Sequence, residues 1–158
     1  MRWLGFIFAF IACTAPSSPA RADEDLAAAQ QFFEAYVQAG YNYDKALLDM
    51  YAPEAVNHVT FLAEDGTPSN IEYNAEQIKK SLQDYVNEGS KRGITIRFEK
   101  ASYAVTTAGV RVTATADYQH LCYRDELYAA LLTRIDKGEY KIKEEFARLP
   151  NKSQCKKP

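Results

Sequence analysis

The chain has 158 residues, 19 basic and 21 acidic side chains, and a net charge of -2 at pH 7. That length fits one ordinary domain with a real core. The charge balance supplies no basic footprint, so nucleic acid is not an expected partner.

Residues 1–22 read as a signal peptide: Arg2, an apolar run Trp3 to Ala12, breakers Pro16 to Pro19, and Ala20-Arg21-Ala22 before Asp23. The apolar run is too short to span a membrane. The chain is therefore expected to be exported, most simply to a bacterial periplasm, with secretion as an alternative. Phe10-Ile11-Ala12-Cys13 loosely resembles a lipoprotein box, which gives a second alternative, a lipid anchor on Cys13. Removing residues 1–22 leaves 17 basic and 21 acidic side chains.

Residues 23–150 form the expected domain. Asp23 or Asp25 is placed to cap a first helix to Ala39, with Leu26, Ala29, Phe33, Tyr36 and Val37 as its apolar stripe. Asp44 is expected to cap a second, shorter helix through Tyr51, stopped by Pro53. Val56 to Leu62 is strand-like, with Val59 and Phe61 on one face and Val56 and Leu62 on the other. Glu64 to Pro68 is a turn, and a short strand around Ile71 and Tyr73 returns from it. Asn74 with Gln77 makes a capping-box pattern for a third helix, which buries Ile78, Leu82, Tyr85 and Val86 and ends at Gly89.

The remainder reads as sheet. Ile94, Ile96 and Phe98 alternate with polar residues, and an irregularity is expected near Lys100. After a turn at Ala108-Gly109, the even residues from Val110 to Cys122 share one face of a long strand. Leu127 to Phe146 is a closing hairpin with its turn at Asp136-Lys137-Gly138. Tyr140, Ile142 and Phe146 fall on one face of its second strand, and strict alternation adds Glu144 to that face. Residues 151–158 form a polar tail.

Cys122 and Cys155 are an even pair outside the targeting segment, and export favours their pairing as a disulfide. No zinc or other metal site is expected, because two separated cysteines lack a supporting ligand cluster and neither H-x-H nor H-E-x-x-H occurs. No cofactor motif is present.

The element order predicts an α+β domain in which about three N-terminal helices cover one face of a curved antiparallel sheet. This order resembles the NTF2-like superfamily, including its SnoaL-like branch, over residues 24–149. Leu47-Leu48-Asp49-Met50-Tyr51-Ala52-Pro53-Glu54-Ala55-Val56 resembles the segment after the family's first helix, and the third helix and Tyr140-Lys141-Ile142 resemble its later elements. The resemblance implies a cone with a pocket at its open end. Tyr36, Tyr51, His58, Tyr118, His120 and Glu144 are the candidates to line it. Glu144, His58 and His120 are the acid–base candidates, since a buried carboxylate needs a partner and an imidazole titrates near neutrality. Steroid-isomerising members use a helical tyrosine, which Tyr36 resembles, and a carboxylate at the start of the first strand, where this chain has Asn57, His58 and Val59. Family members also pair through the outer sheet face, which would involve Thr113, Thr115 and Arg134.

With no complete catalytic constellation, the sequence points to a non-catalytic binding domain for a small apolar or aromatic ligand, a protein partner or a second copy. The alternative is a small pocket enzyme, an isomerase, cyclase or dehydratase, using His58, His120 or Glu144. The eleven tyrosines serve either reading, with large contact area and a polar tip.

Overall fold

A computed structural model describes residues 19–135 and 138–155, with side chains from residue 23 onward. Cys13, most of the targeting segment, two of the three hairpin-turn residues (Asp136 and Lys137) and the last three tail residues lie outside the described residues.

The helix α1 spans Pro19–Tyr41 and buries Ala29, Phe33, Tyr36 and Ala39, a stripe at helical spacing. It begins before Asp23 and Asp25, so neither caps it. Asp25 instead pairs with Arg134 at 2.7 Å. That contact places Arg134 on the helix-covered side of the sheet, away from the outer face where a dimer contact was expected. The expected second helix is only a 3-10 turn, Lys45–Asp49, capped by the Asp44 carboxylate on the Ala46 amide at 2.9 Å. Tyr51 already belongs to strand β1, Tyr51–Leu62. Pro53 is the physical reason, because it disfavours helical backbone at Ala52.

Strand β2, Pro68–Asn74, pairs antiparallel with β1. Helix α2, Ala75–Glu88, starts with the complete capping box between Asn74 and Gln77. Strands β3 (Ile96–Thr106), β4 (Gly109–Tyr118), β5 (Tyr123–Arg134) and β6 (Tyr140–Pro150) complete a six-stranded sheet in the order β2-β1-β6-β5-β4-β3. The sheet is mixed rather than purely antiparallel, because β1 and β6 run parallel. The fold is α+β, with two α-helices instead of about three.

The irregularity near Lys100 is a bulge, with φ of 54° at Lys100 and a register shift between Glu99 and Ser102. Gly109 starts β4 at φ 139°, and a Cβ there would run into the Leu132 carbonyl, so this turn needs glycine. The long strand expected to reach Cys122 stops at Tyr118. Gln119–Leu121 form a 3-10 turn, and Cys122 is left-handed at φ 50°. His120 and Cys122 therefore leave the sheet face of Tyr118. Cys122 is bonded to Cys155, with Cα atoms 5.0 Å apart. The tail is also held by the Gln154 amide on the Leu121 carbonyl at 2.8 Å.

The core lies between α1 and the concave sheet face. Phe33, Tyr128, Val110, Val112, Leu132 and Ile142 are almost wholly buried there. Phe33 and Phe98 meet edge to face with centroids 5.6 Å apart, which fills the gap between α1 and β3.

Candidate functional site

The register of β6 decides what faces the interior. Leu132 pairs with Ile142 but Leu131 pairs with Glu144, so Lys143 is an extra residue on β6. A bulge of one residue exchanges the two faces of a strand beyond it. Tyr140 and Ile142 point inward before the bulge, and Glu145 and Ala147 point inward after it. Glu144 and Phe146 are turned to the outer face. The assignment of Glu144 to the inner face is thus corrected by one residue. Glu145 is the inward carboxylate, 6% exposed.

Four side chains converge on Glu145. Tyr128, from β5, donates to Oε1 at 2.6 Å, and Tyr36, from α1, donates to the same oxygen at 3.1 Å. Tyr51, at the start of β1, donates to Oε2 at 2.7 Å, and Asn57 Nδ2 donates to it at 3.0 Å. The hydroxyls of Tyr36 and Tyr51 also lie 3.1 Å apart. A second irregularity brings Tyr51 and Asn57 to the same carboxylate. Between Tyr51 and Val56, β1 advances five residues while β6 advances two. The surplus tucks Ala52 and Ala55 against Ile78 of α2. Burial, followed by the Glu145 charge, pushes the Tyr36, Tyr51 and Tyr128 hydroxyls well above the ordinary phenol range. They stay protonated as neutral donors.

These groups sit in the wall of a cavity of about 300 Å³. Its other lining residues are mainly apolar or aromatic, among them Val59, Phe61, Phe98, Ala147 and Leu149. Tyr118 lines it too, with its hydroxyl raised by burial and by the charge of Glu145. Tyr85 closes another side, its hydroxyl on the Gly40 carbonyl at 2.8 Å and its pKa pushed up to about 12 by burial.

Of the six residues singled out in the sequence, Tyr36, Tyr51 and Tyr118 line the cavity. His58, His120 and Glu144 do not, and they do not converge on one another. His58 is on the outer face, stacked on Phe146 with ring centroids 4.5 Å apart, with Nδ1 3.1 Å from Glu72. His120 lies in the 3-10 turn beside the disulfide. Burial lowers its pKa, opposed by a backbone hydrogen bond with Thr95. Acid–base chemistry by these three residues together has no geometric basis. Among the described residues no group of three or more His, Cys, Asp or Glu is placed to hold a metal, and no helix is long and apolar enough to cross a membrane.

Sequence reasoning missed Glu145, Asn57 and Tyr128 as site residues. A parity conflict in β6 was the available signal for Glu145. Tyr140 and Ile142 are even-numbered, whereas the apolar Ala147 and Leu149 are odd, and only a bulge places all four inside. Asn57 and Tyr128 offered only a polar residue in a strand and a phenol in an apolar run.

The same arrangement of helices over a sheet occurs in known structures. A structure from Streptomyces avermitilis, of the NTF2-like family, superposes with a TM-score of 0.56 at 14% identity, covering 80% of this chain and 96% of that one. The fold is NTF2-like. An NTF2-like protein with a cystatin-like fold from Novosphingobium aromaticivorans gives a TM-score of 0.52 at 11% identity, over 81% of this chain and 84% of that one. The cell shape determining protein Pgp2 of Campylobacter jejuni gives 0.54 at 18% identity, over 77% of this chain and 40% of that one. The sequence matches no protein-family model and no curated protein. The NTF2-like likeness therefore concerns the backbone, and the cavity chemistry is read from this chain's own residues.

Proposed function

We propose that this chain is an exported, non-catalytic NTF2-like binding domain whose cavity takes a small, largely apolar molecule. The observation that carries this reading is the cavity itself. It holds one carboxylate whose four polar contacts are all made by the protein, with no histidine among its lining residues. A general acid or base works best with a pKa near the operating pH, and the phenols around Glu145 are held far above it. A largely apolar wall with a few convergent polar groups is the usual make-up of a ligand site, and the volume lies at the small end of the usual range of about 300–1,000 Å³. The Streptomyces avermitilis neighbour carries a provisional dehydratase label. At 14% identity that label brings no catalytic residue to this chain.

The test is fluorescence titration with the neutral apolar probe N-phenyl-1-naphthylamine. The wild-type protein is expected to bind it saturably, and Ala147→Phe, which fills the cavity, to weaken binding at least tenfold. Absence of saturable binding by the wild type, or equal binding by Ala147→Phe, overturns the reading.

Export is supported by the targeting pattern of residues 1–22 and by the Cys122–Cys155 disulfide, a bond that persists in oxidising compartments. Intact mass of the protein purified from its producing cell is expected to begin at Asp23. A mass that begins at a lipid-bearing Cys13 replaces soluble export by anchoring, and an uncleaved chain removes export altogether.

A further inference from the structure

Two features of the cavity specify the chemistry of its occupant, given the proposed reading that it is a ligand site. The first is charge. Among the described residues, Glu145 is the one charged side chain in its lining, with no lysine, arginine or histidine to offset it. Hydrogen bonds hold the carboxylate but do not cancel its field, which a largely apolar wall screens less than bulk water does. An anion is repelled from such a site and a cation is drawn in.

The second is a count of hydrogens. Five polar contacts join Tyr36, Tyr51, Tyr128, Asn57 and Glu145. Three hydroxyls and one amide N–H supply four hydrogens to them, because a carboxylate only accepts. Whichever way the Tyr36 and Tyr51 hydroxyls turn, one contact lacks a hydrogen, and the phenolic oxygens keep lone pairs.

We propose that the cavity takes a protonated amine on a small apolar skeleton, with its ammonium N–H groups directed to the Tyr36–Tyr51 hydroxyl pair. The charge of Glu145 acts through these groups, and the skeleton lies among the lining residues Phe98, Tyr118 and Tyr128. Aromatic faces attract a cation in addition. An ammonium brings three donors and a charge, whereas an alcohol brings one donor and no charge. Charge-assisted hydrogen bonds are about twice as strong as neutral ones.

The experiment is displacement of N-phenyl-1-naphthylamine from the intact protein at pH 7 by 2-phenylethylamine, 2-phenylethanol and phenylacetate. The amine is expected to displace the probe at a concentration at least tenfold below that of the alcohol, with phenylacetate the weakest. The trimethylammonium analogue keeps the charge but lacks N–H, and is expected to fall at least fivefold below the amine. Glu145→Gln is expected to cut the advantage of amine over alcohol below threefold. If the probe binds but the amine is no better than the alcohol, if phenylacetate is preferred, or if none of them displaces it, the amine assignment is overturned and the cavity remains a ligand site. Equal displacement by the trimethylated analogue overturns the assignment to the hydroxyl pair. If the probe does not bind at all, both readings fall. The wild-type series decides the matter even where Glu145→Gln does not fold.

Discussion

Among the described residues two carboxylates are buried, Asp125 and Glu145, and neither is paired with a cation. Asp125, 1% exposed, accepts from two backbone amides, Leu127 at 2.9 Å and Arg148 at 2.7 Å. Glu145 accepts from four side chains contributed by α1, β1 and β5. Asp125 sits three residues past Cys122, which the disulfide ties to the tail. Asp125 also sits at a bulge, since β5 gains one residue between its pairings with Ala116 and Ala114. Past Phe146, β6 no longer pairs with β5, so the Arg148 amide turns to Asp125 instead. Asp125 thus replaces missing strand hydrogen bonds, whereas Glu145 organises the wall of a cavity. Burial alone does not mark an acid as functional; the kind of donor that meets it separates the two roles.

That contrast can be tested by perturbing the surroundings of each carboxylate. The largest effect is expected from Cys122→Ser with Cys155→Ser, which opens a loop with a sequence separation of 33. The loss should be about 3–4 kcal/mol in chemical denaturation, with the Glu145 cluster and probe binding retained in the folded protein. Asp125→Ala removes two backbone hydrogen bonds to a carboxylate and should cost about 3 kcal/mol, again with binding retained. A loss of binding in either variant would mean that Asp125 or the disulfide also shapes the cavity wall. Tyr128→Phe removes the 2.6 Å hydrogen bond to Glu145. It should cost about 2 kcal/mol and, unlike Asp125→Ala, should weaken the preference for the amine over the alcohol.

The smallest expected effect concerns His120, at the disulfide end. Burial depresses its pKa in the folded state, with Arg92 a lesser contributor in the same direction and the Thr95 backbone opposing. Its unfolded value is about 6.5. The stability associated with neutral His120 is therefore present above about pH 6.5 and is lost as pH falls through the lower folded value. Urea midpoints at pH 7.5 and pH 5 should show a larger acid loss for the wild type than for His120→Gln. An equal loss would assign the acid sensitivity to other groups.

Much of the architecture was legible because it depends on local chemistry. The Asn74–Gln77 box, the bulge near Lys100 and the Cys122–Cys155 pair follow from residue types that offer few alternatives. The site was less legible because it depends on strand register. Tyr36, Tyr51 and Tyr118 were recognisable as aromatic candidates, but their common partner was displaced by one residue at Lys143. Asp125 was read as part of a connection, because its backbone partners 2 and 23 positions along the chain leave no trace in hydrophobic periodicity. The His58, His120 and Glu144 grouping assumed that strands run regularly to their ends, whereas a 3-10 turn removes His120 from the sheet face of Tyr118 and the bulge turns Glu144 outward.

The extra residue at Lys143 also bears on how the cavity can change by mutation. Glu144 and Glu145 are adjacent, so loss of the bulge, with strict alternation continuing past Ile142, would carry Glu145 out and Glu144 in. Phe146 would then turn inward and leave the His58 ring it stacks on. The doublet keeps a carboxylate available to the interior in either register, while the bulk of the wall switches between Phe146 and Ala147. Loss of this bulge is therefore a route to a cavity of different size that keeps its negative charge.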